Sequence, residues 1–198
     1  WPPAVDDSMV TGYHISKNGK PYKTLTPIDT VYKVTGLDEA TPVTFSVKAT
    51  DEAGNQSTAL MLTVSTGDAT PPVWPADATL KVSAISDTTA ELGISAATDN
   101  VAVTEYRLMA GDKLLKTVTS SGEAMLSELT PLTTYTIHVV AVDGVGHKTQ
   151  GPEVTFKTTD SVGPGWPEGA ALTTSDVTPQ TATLDWPPAT DAGGVAGY

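Results

Sequence analysis

The sequence predicts an all-β protein built from tandem seven-stranded sandwiches. Three observations support this class: short runs with alternating apolar residues, turn-forming residues between them, and an internal repeat. The 198-residue chain contains 17 glycines and 15 prolines, and its threonines lie inside apolar runs, which favours strands. No segment shows a helical period. The repeat is about 92 residues long, which is the size of one β-sandwich domain.

The repeat sets the predicted domain organisation. Trp74-Pro75 recurs as Trp166-Pro167, and residues 37–51 match residues 129–143. A third signature occurs three times, each time ending in a tyrosine twelve residues after its start, in residues 1–13, 94–106 and 186–198. We therefore predict three parts: a repeat without its first strands in residues 1–66, a complete repeat in 67–160, and the first strands of a third repeat in 161–198.

The complete copy contains seven strand-like runs separated by turn signals. They are residues 80–85, 89–95, 106–109, 114–118, 125–129, 134–143 and 154–158. Period-2 alternation gives each strand one buried and one wet face. In the longest run, Tyr135, Ile137, Val139 and Ala141 share the predicted inward face.

Two consecutive motifs indicate a particular family of β-sandwich domains. Leu129-x-Pro-x-Thr-x-Tyr135 is followed by Val139-x-Ala-x-Asp-x-x-Gly146. Together with the Pro-rich entry to each copy, they resemble the bacterial fibronectin type III repeat over essentially the whole chain. The resemblance implies that Trp1 and Trp186 occupy the family's core tryptophan position, which is Ile94 in the middle copy. It also implies that Tyr135 is the corner tyrosine, and that the first copy lacks its hydroxyl bond because Val43 replaces it.

Charge and composition exclude several classes of function. The net charge is −12, which disfavours nucleic acid and anionic membranes as partners. The absence of cysteine excludes disulfides, thiol catalysis and Cys-ligated zinc. No run of 18 apolar residues is present, so we expect no membrane insertion. We interpret the acidity as a source of solubility, with divalent-cation binding in the loops as the alternative.

Acidic residues cluster at two turns of the repeat. One cluster follows the second strand and one precedes the last strand; the residues are Asp6, Asp7, Asp99, Asp191, Asp51, Glu52 and Asp143. No D-x-[DN]-x-[DN]-G calcium loop is present. Aspartate also makes turns by accepting hydrogen bonds from its own backbone, and Gly54 fits the positive φ of a hairpin. We favour turn formation over calcium binding.

The tryptophans are candidate ligand platforms. We interpret Trp1 and Trp186 as core anchors between the sheets, in preference to sugar-stacking surfaces. Trp74 and Trp166 each follow a Pro/Gly-rich joint. We expect them to plug the junction between domains, with an exposed contact to a ligand or fibre as the alternative.

No constellation of catalytic residues is apparent. His14, His138 and His147 are scattered, no G-x-S-x-G motif occurs, and no carboxylate pair can be argued for glycoside hydrolysis. There is no Arg-Gly-Asp tripeptide. We expect no catalytic, cofactor-binding or metal-binding residues, no cofactor and no enzymatic activity.

The favoured function is an extracellular structural or spacer array on the bacterial cell surface. It would belong to a surface fibre or filament, or to the stalk of an adhesin. The alternative is a set of accessory modules in a secreted carbohydrate-active enzyme. Expected partners are neighbouring repeats or copies of the same chain, with cell wall or polysaccharide as a further candidate.

The incomplete outer copies leave two interpretations open. One chain could complete the next head to tail, which generates filaments. In that arrangement Trp1 would compete with Trp186, and Tyr13 with Tyr198, for the same core positions. We therefore prefer the interpretation that the sequence is a window of a longer periodic protein.

Overall fold

A computed structural model describes all residues, 1–198, and contains thirteen β-strands and no helix. The predicted all-β class is therefore confirmed. The chain divides into two compact units, Trp1–Thr70 and Pro71–Tyr198. It contains no helix capable of crossing a bilayer.

The first unit contains one four-stranded antiparallel sheet. Its strands are β1 (Val10–Lys17), β2 (Lys20–Leu25), β3 (Pro42–Asp51) and β4 (Leu60–Ser65). The order in the sheet is β2-β1-β3-β4. β1 and β2 are joined by a tight turn in which Asn18 and Gly19 both have positive φ, as expected of an Asn-Gly hairpin.

The second unit contains a complete sandwich within residues 80–157. Its strands are β5 (Leu80–Ile85), β6 (Ala90–Ile94), β7 (Val103–Ala110), β8 (Lys113–Val118), β9 (Gly122–Leu126), β10 (Thr134–Asp143) and β11 (Lys148–Lys157). One sheet has the order β5-β6-β9 and the other β11-β10-β7-β8. We call residues 71–160 the middle repeat.

The core of the middle repeat lies between these two sheets. Leu92 of β6 and Leu126 of β9 face Leu108 of β7 and Ile137 of β10, and all four are buried. The alternation along β10 places Ile137, Val139 and Ala141 in the core, which confirms the predicted inward face. The alternation of apolar and polar residues therefore predicts correctly which strand faces are buried in this sandwich.

Two strands, β9 and β11, are displaced most from the sequence prediction. β9 covers Gly122–Leu126 and not residues 125–129, because Met125 points to solvent and Leu129 is buried from the loop beyond the strand. β11 begins at Lys148 and runs through Gly151 and Pro152, whereas the sequence predicts a strand only over residues 154–158. Proline is tolerated there because β11 is an edge strand, where one side of the backbone needs no partner.

The last part of the second unit contains a single hairpin. β12 (Thr173–Ser175) pairs with β13 (Thr183–Asp185), and Thr174 lies opposite Leu184. These strands occupy the repeat positions of β5 and β6, 92 residues earlier.

Candidate functional site

Each of the first two repeats ties the segment after its last strand to an earlier loop through one threonine. In the middle repeat, Thr158 is 2% exposed. Its Oγ1 accepts the N–H of Thr133 at 2.9 Å and donates to the carbonyl of Thr130 at 2.6 Å. We call this set of contacts the threonine clasp.

The same clasp occurs in the first unit, 92 residues earlier. Thr66 Oγ1 accepts the N–H of Thr41 at 3.1 Å and donates to the carbonyl of Asp38 at 2.6 Å. Because two units of different sequence build the same contacts, the clasp is a property of the repeat.

The clasped loop holds a non-glycine residue in the left-handed region. Ala40 has φ 48° and Leu132 has φ 53°. Their N–H groups donate to the carbonyls of Gly67 and Thr159, at 3.1 and 3.4 Å. This conformation costs on the order of 1 kcal/mol or more for a non-glycine residue. The clasp therefore stabilises a strained loop while it fixes the segment after the last strand.

A carboxylate fixes the residues that follow each clasp. Glu39 Oε2 accepts the N–H of Ala69 at 3.3 Å and the hydroxyl of Thr70 at 2.7 Å. In the middle repeat the carboxylate comes from a different loop. Asp87, in the β5–β6 turn, accepts the hydroxyl of Thr159 at 2.6 Å and the N–H and hydroxyl of Ser161. The hydrogen bonds from Ser161 and Thr159 hold the pKa of Asp87 below its ordinary value.

We expect Thr158→Val to destabilise the middle repeat by about 1–3 kcal/mol, because it leaves the N–H of Thr133 and the carbonyl of Thr130 without a partner. Urea unfolding followed by fluorescence measures the change. Thr155→Val is the matched control, since Thr155 is an exposed β11 threonine whose hydroxyl pairs with that of Thr136. Equal losses in the two variants would contradict the clasp.

A tyrosine at one position of each copy accepts a backbone hydrogen bond from the preceding loop. Tyr13 Oη accepts the N–H of Ala4 at 2.8 Å, and Tyr106 Oη accepts that of Ala97 at 3.1 Å. In the third copy the Ala189 N–H donates to Tyr198 Oη at 2.8 Å. All three copies therefore share this contact between the tyrosine and the preceding loop.

The tryptophans interpreted as core anchors pack on these tyrosines. The Trp1 ring lies edge-on to Tyr13, with centroids 5.6 Å apart. Trp186 lies 6.0 Å from Tyr198 but is nearly half exposed. Ile94, at the corresponding position of the middle repeat, is buried.

Trp74 is anchored within its own repeat. Its ring lies 5.8 Å from Tyr106, and its Nε1 donates to the carbonyl of Thr149 at 3.1 Å. The indole lies directly against the backbone of Gly151. Trp74 thus closes one end of the core of its own sandwich, which corrects the expectation that it plugs the junction between domains. Trp166, its counterpart, packs on Tyr198 but remains 55% exposed.

The corner tyrosine implied by the resemblance makes its hydrogen bond. Tyr135 Oη accepts the N–H of Thr130 at 2.9 Å, and its ring stacks on Phe156. Thr130 also supplies the carbonyl of the threonine clasp, so tyrosine and clasp stabilise the same loop. Val43, at the tyrosine position of the first unit, is buried without a hydroxyl.

The aspartates after the second strand of each copy make turns. Asp6 Oδ1 accepts the N–H and hydroxyl of Ser8, and the hydrogen bonds from Ser8 lower the pKa of Asp6. Asp99 Oδ1 accepts the N–H groups of residues 101 and 102. Asp191 Oδ1 accepts the N–H of Gly193. These contacts support the turn interpretation.

The aspartates before the last strand make a second kind of turn. Asp51 accepts the N–H and side-chain amide of Asn55, and Gly54 has φ 88°. Asp143 is buried, and its Oδ1 accepts the N–H groups of residues 145, 146 and 147. Its Oδ2 lies 2.7 Å from Nδ1 of His147.

The histidines lie in three separate places. His147 contacts Asp143, and His14 Nδ1 lies 3.2 Å from the hydroxyl of Thr24. His138 is on the outer side of β10, opposite Glu153 of β11.

The repeat positions carry several contacts that sequence reasoning missed. Thr66 and Thr158 stand at the same repeat position, 92 residues apart, and so do Ala40 and Leu132. None of these residue types by itself signals a special contact. A position-by-position alignment of the two copies would have marked the threonines. Gly151 gave no signal, because its partner Trp74 is 77 residues away in sequence.

The comparison with protein families decides the identity of the middle repeat. Residues 74–157 match the model of the fibronectin type III domain. The middle repeat is a fibronectin type III domain. The prediction that the chain carries repeats of this family is confirmed.

Curated relatives extend the likeness beyond this domain. Chitinase A1 of Niallia circulans is 36% identical over 155 residues, covering 74% of this chain and 21% of that protein. Exoglucanase B of Cellulomonas fimi is 32% identical over 210 aligned residues, covering 98% of this chain and 18% of that protein. The chain thus spans about a fifth of the length of these relatives.

A solved structure also matches. Chitinase ChiA74 from Bacillus thuringiensis is 28% identical over 62% of this chain and 16% of that chain, with a TM-score of 0.41.

Because of the Asp143 turn, the stability of the fibronectin type III domain depends on pH in the acidic range. Burial raises the pKa of Asp143, but hydrogen bonds from His147 and the backbone of residues 145–147 outweigh it and hold the pKa below its ordinary value. A carboxylate with a lowered native-state pKa stabilises the fold above the pKa of an unfolded aspartate, about 3.9. That contribution is lost as the pH falls through the native-state pKa.

We expect Asp143→Asn to remove this contribution. The difference in unfolding free energy between wild type and variant should shrink as the pH falls below about 4. Urea unfolding at a series of pH values measures it. Asp112→Asn, in the exposed β7–β8 turn, is the control. A difference that does not change with pH would contradict the prediction.

Proposed function

We propose that the chain serves as non-catalytic fibronectin type III modules of a secreted polysaccharide-degrading enzyme. One observation carries the proposal. Sequences similar to 74% and 98% of the chain lie in a chitinase and an exoglucanase, and the matched part is about a fifth of each. A segment that recurs as a small part of enzymes with different names is best explained as an accessory module of those enzymes.

The contacts within the chain support a mechanical role. The threonine clasps and the carboxylates beyond them order the residues that follow each last strand. Prolines then restrict φ in the next residues, at Pro71, Pro72 and Pro164. Ordered segments followed by proline make a semi-rigid spacer, which sets the distance between the modules that it joins.

Accessory modules of a secreted carbohydrate-active enzyme were the alternative function that the sequence offered. The relatives support it better than they support a surface fibre or an adhesin stalk. An extracellular location follows from it, because insoluble polysaccharides lie outside the cell. Polysaccharide is then the expected neighbour of the whole enzyme.

A linker-exchange experiment tests the role. A chitinase catalytic domain and a chitin-binding domain are joined either by residues 1–198 or by a Gly/Ser linker of equal length. We expect equal hydrolysis of soluble oligosaccharides by the two fusions, and faster hydrolysis of insoluble chitin by the first. The chain alone should release no sugar. Equal rates on insoluble chitin, or hydrolysis by the chain alone, would contradict the proposal.

A further inference from the structure

Leu132 of the middle repeat lies against the third copy, which follows it in the chain. Gly193 of the third copy is so close that a Cβ added there would lie 2.9 Å from Cδ1 of Leu132. The same Cβ would lie 3.2 Å from Oδ1 of Asp191 and 3.3 Å from Oδ2 of Asp160. Glycine leaves this space free because it has no Cβ. The packing of the two copies therefore depends on the residue at position 193.

The backbone at residue 193 does not itself require glycine. Its φ lies outside the left-handed region, whereas the next residue, Gly194, has φ 81°. Hydrogen bonds fix this loop within the third copy. The N–H of Gly193 donates to Asp191 Oδ1 at 2.8 Å, and Thr190 and Gly165 exchange backbone hydrogen bonds of 2.9 and 2.8 Å. The glycine is thus explained by the space that the neighbouring leucine needs.

Leu132 is held in place from its own side. It has φ 53°, a left-handed conformation that is unfavourable for a non-glycine residue. The threonine clasp fixes the backbone of Thr130 and Thr133 on either side of it. Glycine would adopt the same φ without strain, but it has no side chain to reach Gly193. A leucine at a strained position therefore indicates a role for its side chain beyond the loop.

The joint is open beside this contact. A cleft of about 510 Å³ lies there, and its lining includes Asp87, Thr88 and Pro131 of the middle repeat and Thr190, Asp191 and Ala192 of the third copy. An open cleft does not resist movement, whereas packed atoms resist overlap. The bulk present at residues 132 and 193 therefore limits how far the joint can close on their side.

We propose that Leu132 and Gly193 form a steric stop that sets the angle between the fibronectin type III domain and the copy that follows it. The leucine supplies the bulk, and the glycine supplies the space that the bulk occupies. The surface around Leu132 thus fits a following repeat with a glycine at this position. The inference rests on the proposed spacer function, because a fixed angle matters for a chain that separates other modules.

NMR of the 198-residue chain tests the stop directly. We expect nuclear Overhauser effects between the methyl groups of Leu132 and the α protons of Gly193. Gly193→Val should abolish them, because the larger side chain overlaps the leucine. It should also change the residual dipolar couplings of the β12–β13 amides relative to those of β10. Gly163→Val is the matched control, since Gly163 lies between the two copies and an added Cβ there has no neighbour within 4 Å.

Two further variants separate the stop from the stability of the domain. Leu132→Gly removes both the side chain and the strain, so the β12–β13 couplings should shrink while urea unfolding shows no loss of stability. Leu132→Ala combined with Gly193→Val introduces the residues found at the same repeat positions one repeat earlier, Ala40 and Val101. This double variant should restore large β12–β13 couplings, because the bulk is moved from one position to the other.

Three outcomes would overturn the steric stop. They are the absence of the Leu132–Gly193 effects in the wild type, couplings unchanged by both Gly193→Val and Leu132→Gly, and a double variant that behaves like Gly193→Val alone. Equal hydrolysis of insoluble chitin by the two linker fusions would instead contradict the spacer function and leave the stop in place.

Discussion

Leu92→Ala is expected to destabilise the fibronectin type III domain by about 2–5 kcal/mol. Leu92 is fully buried on β6, the central strand of its sheet, and faces the other sheet across the core. Truncation to alanine removes buried methyl groups and leaves a cavity that the surrounding sheets close only in part. Hydrogen exchange of the β10 amides reports the unfolding free energy of this domain within the whole chain.

Leu184→Ala is the matched control for that prediction. Leu184 stands at the same repeat position, and its side chain is 49% exposed. Truncation of an exposed side chain changes stability by about 0.5 kcal/mol or less. The protection of β10 should therefore be unchanged. A loss below about 0.5 kcal/mol in Leu92→Ala would contradict the core assignment.

Gly151→Ala is expected to cost about 1–3 kcal/mol, because the new methyl group overlaps the Trp74 indole. A Cβ at residue 151 would lie 2.6 Å from Cζ2 and 2.8 Å from Nε1 of Trp74. The indole has little freedom to yield, since it packs on Tyr106 and donates to Thr149. Urea unfolding followed by tryptophan fluorescence measures the cost.

Gly93→Ala is the control for this effect. Gly93 lies in β6, and an added Cβ there has no neighbour within 4 Å. Its replacement should be neutral or slightly stabilising. Combining Gly151→Ala with Trp74→Ala should cost less than the sum of the single changes, because the overlap disappears with the indole. Strict additivity would show that the two residues do not contact each other.

The periodic part of the fold could be predicted from sequence alone. Strand β10 shows why: inward-facing residues recur at every second position from Tyr135 to Ala141, and burial of one sheet face requires that alternation. The repeat of Trp-Pro and of the twelve-residue step to tyrosine fixed the size of the domain. The predicted strand boundaries were wrong where the alternating pattern is interrupted, as at Gly151 and Pro152 of β11. The strand continues there because an edge strand tolerates residues that a central strand does not.

The contacts that fix the loops could not be predicted in the same way. Thr158 has no unusual neighbours in sequence, and its partners at residues 130 and 133 are backbone groups. Trp74 looked like a residue of the junction because it follows prolines, yet its hydrogen-bond acceptor is the carbonyl of Thr149. Side-chain to backbone bonds across long separations leave no pattern in one sequence. The likeness to enzyme sequences also needed comparison with other chains.

Amide hydrogen exchange at Thr41, Thr133 and Ser161 tests most directly whether the repeats order the segments that follow them. All three amides lie outside regular strands and donate to side chains, Thr66, Thr158 and Asp87 respectively. We predict protection of the Thr41 and Thr133 amides close to that of neighbouring strand amides, and measurable protection at Ser161 that Asp87→Ala removes. Exchange of all three as fast as exposed loop amides would contradict the semi-rigid spacer.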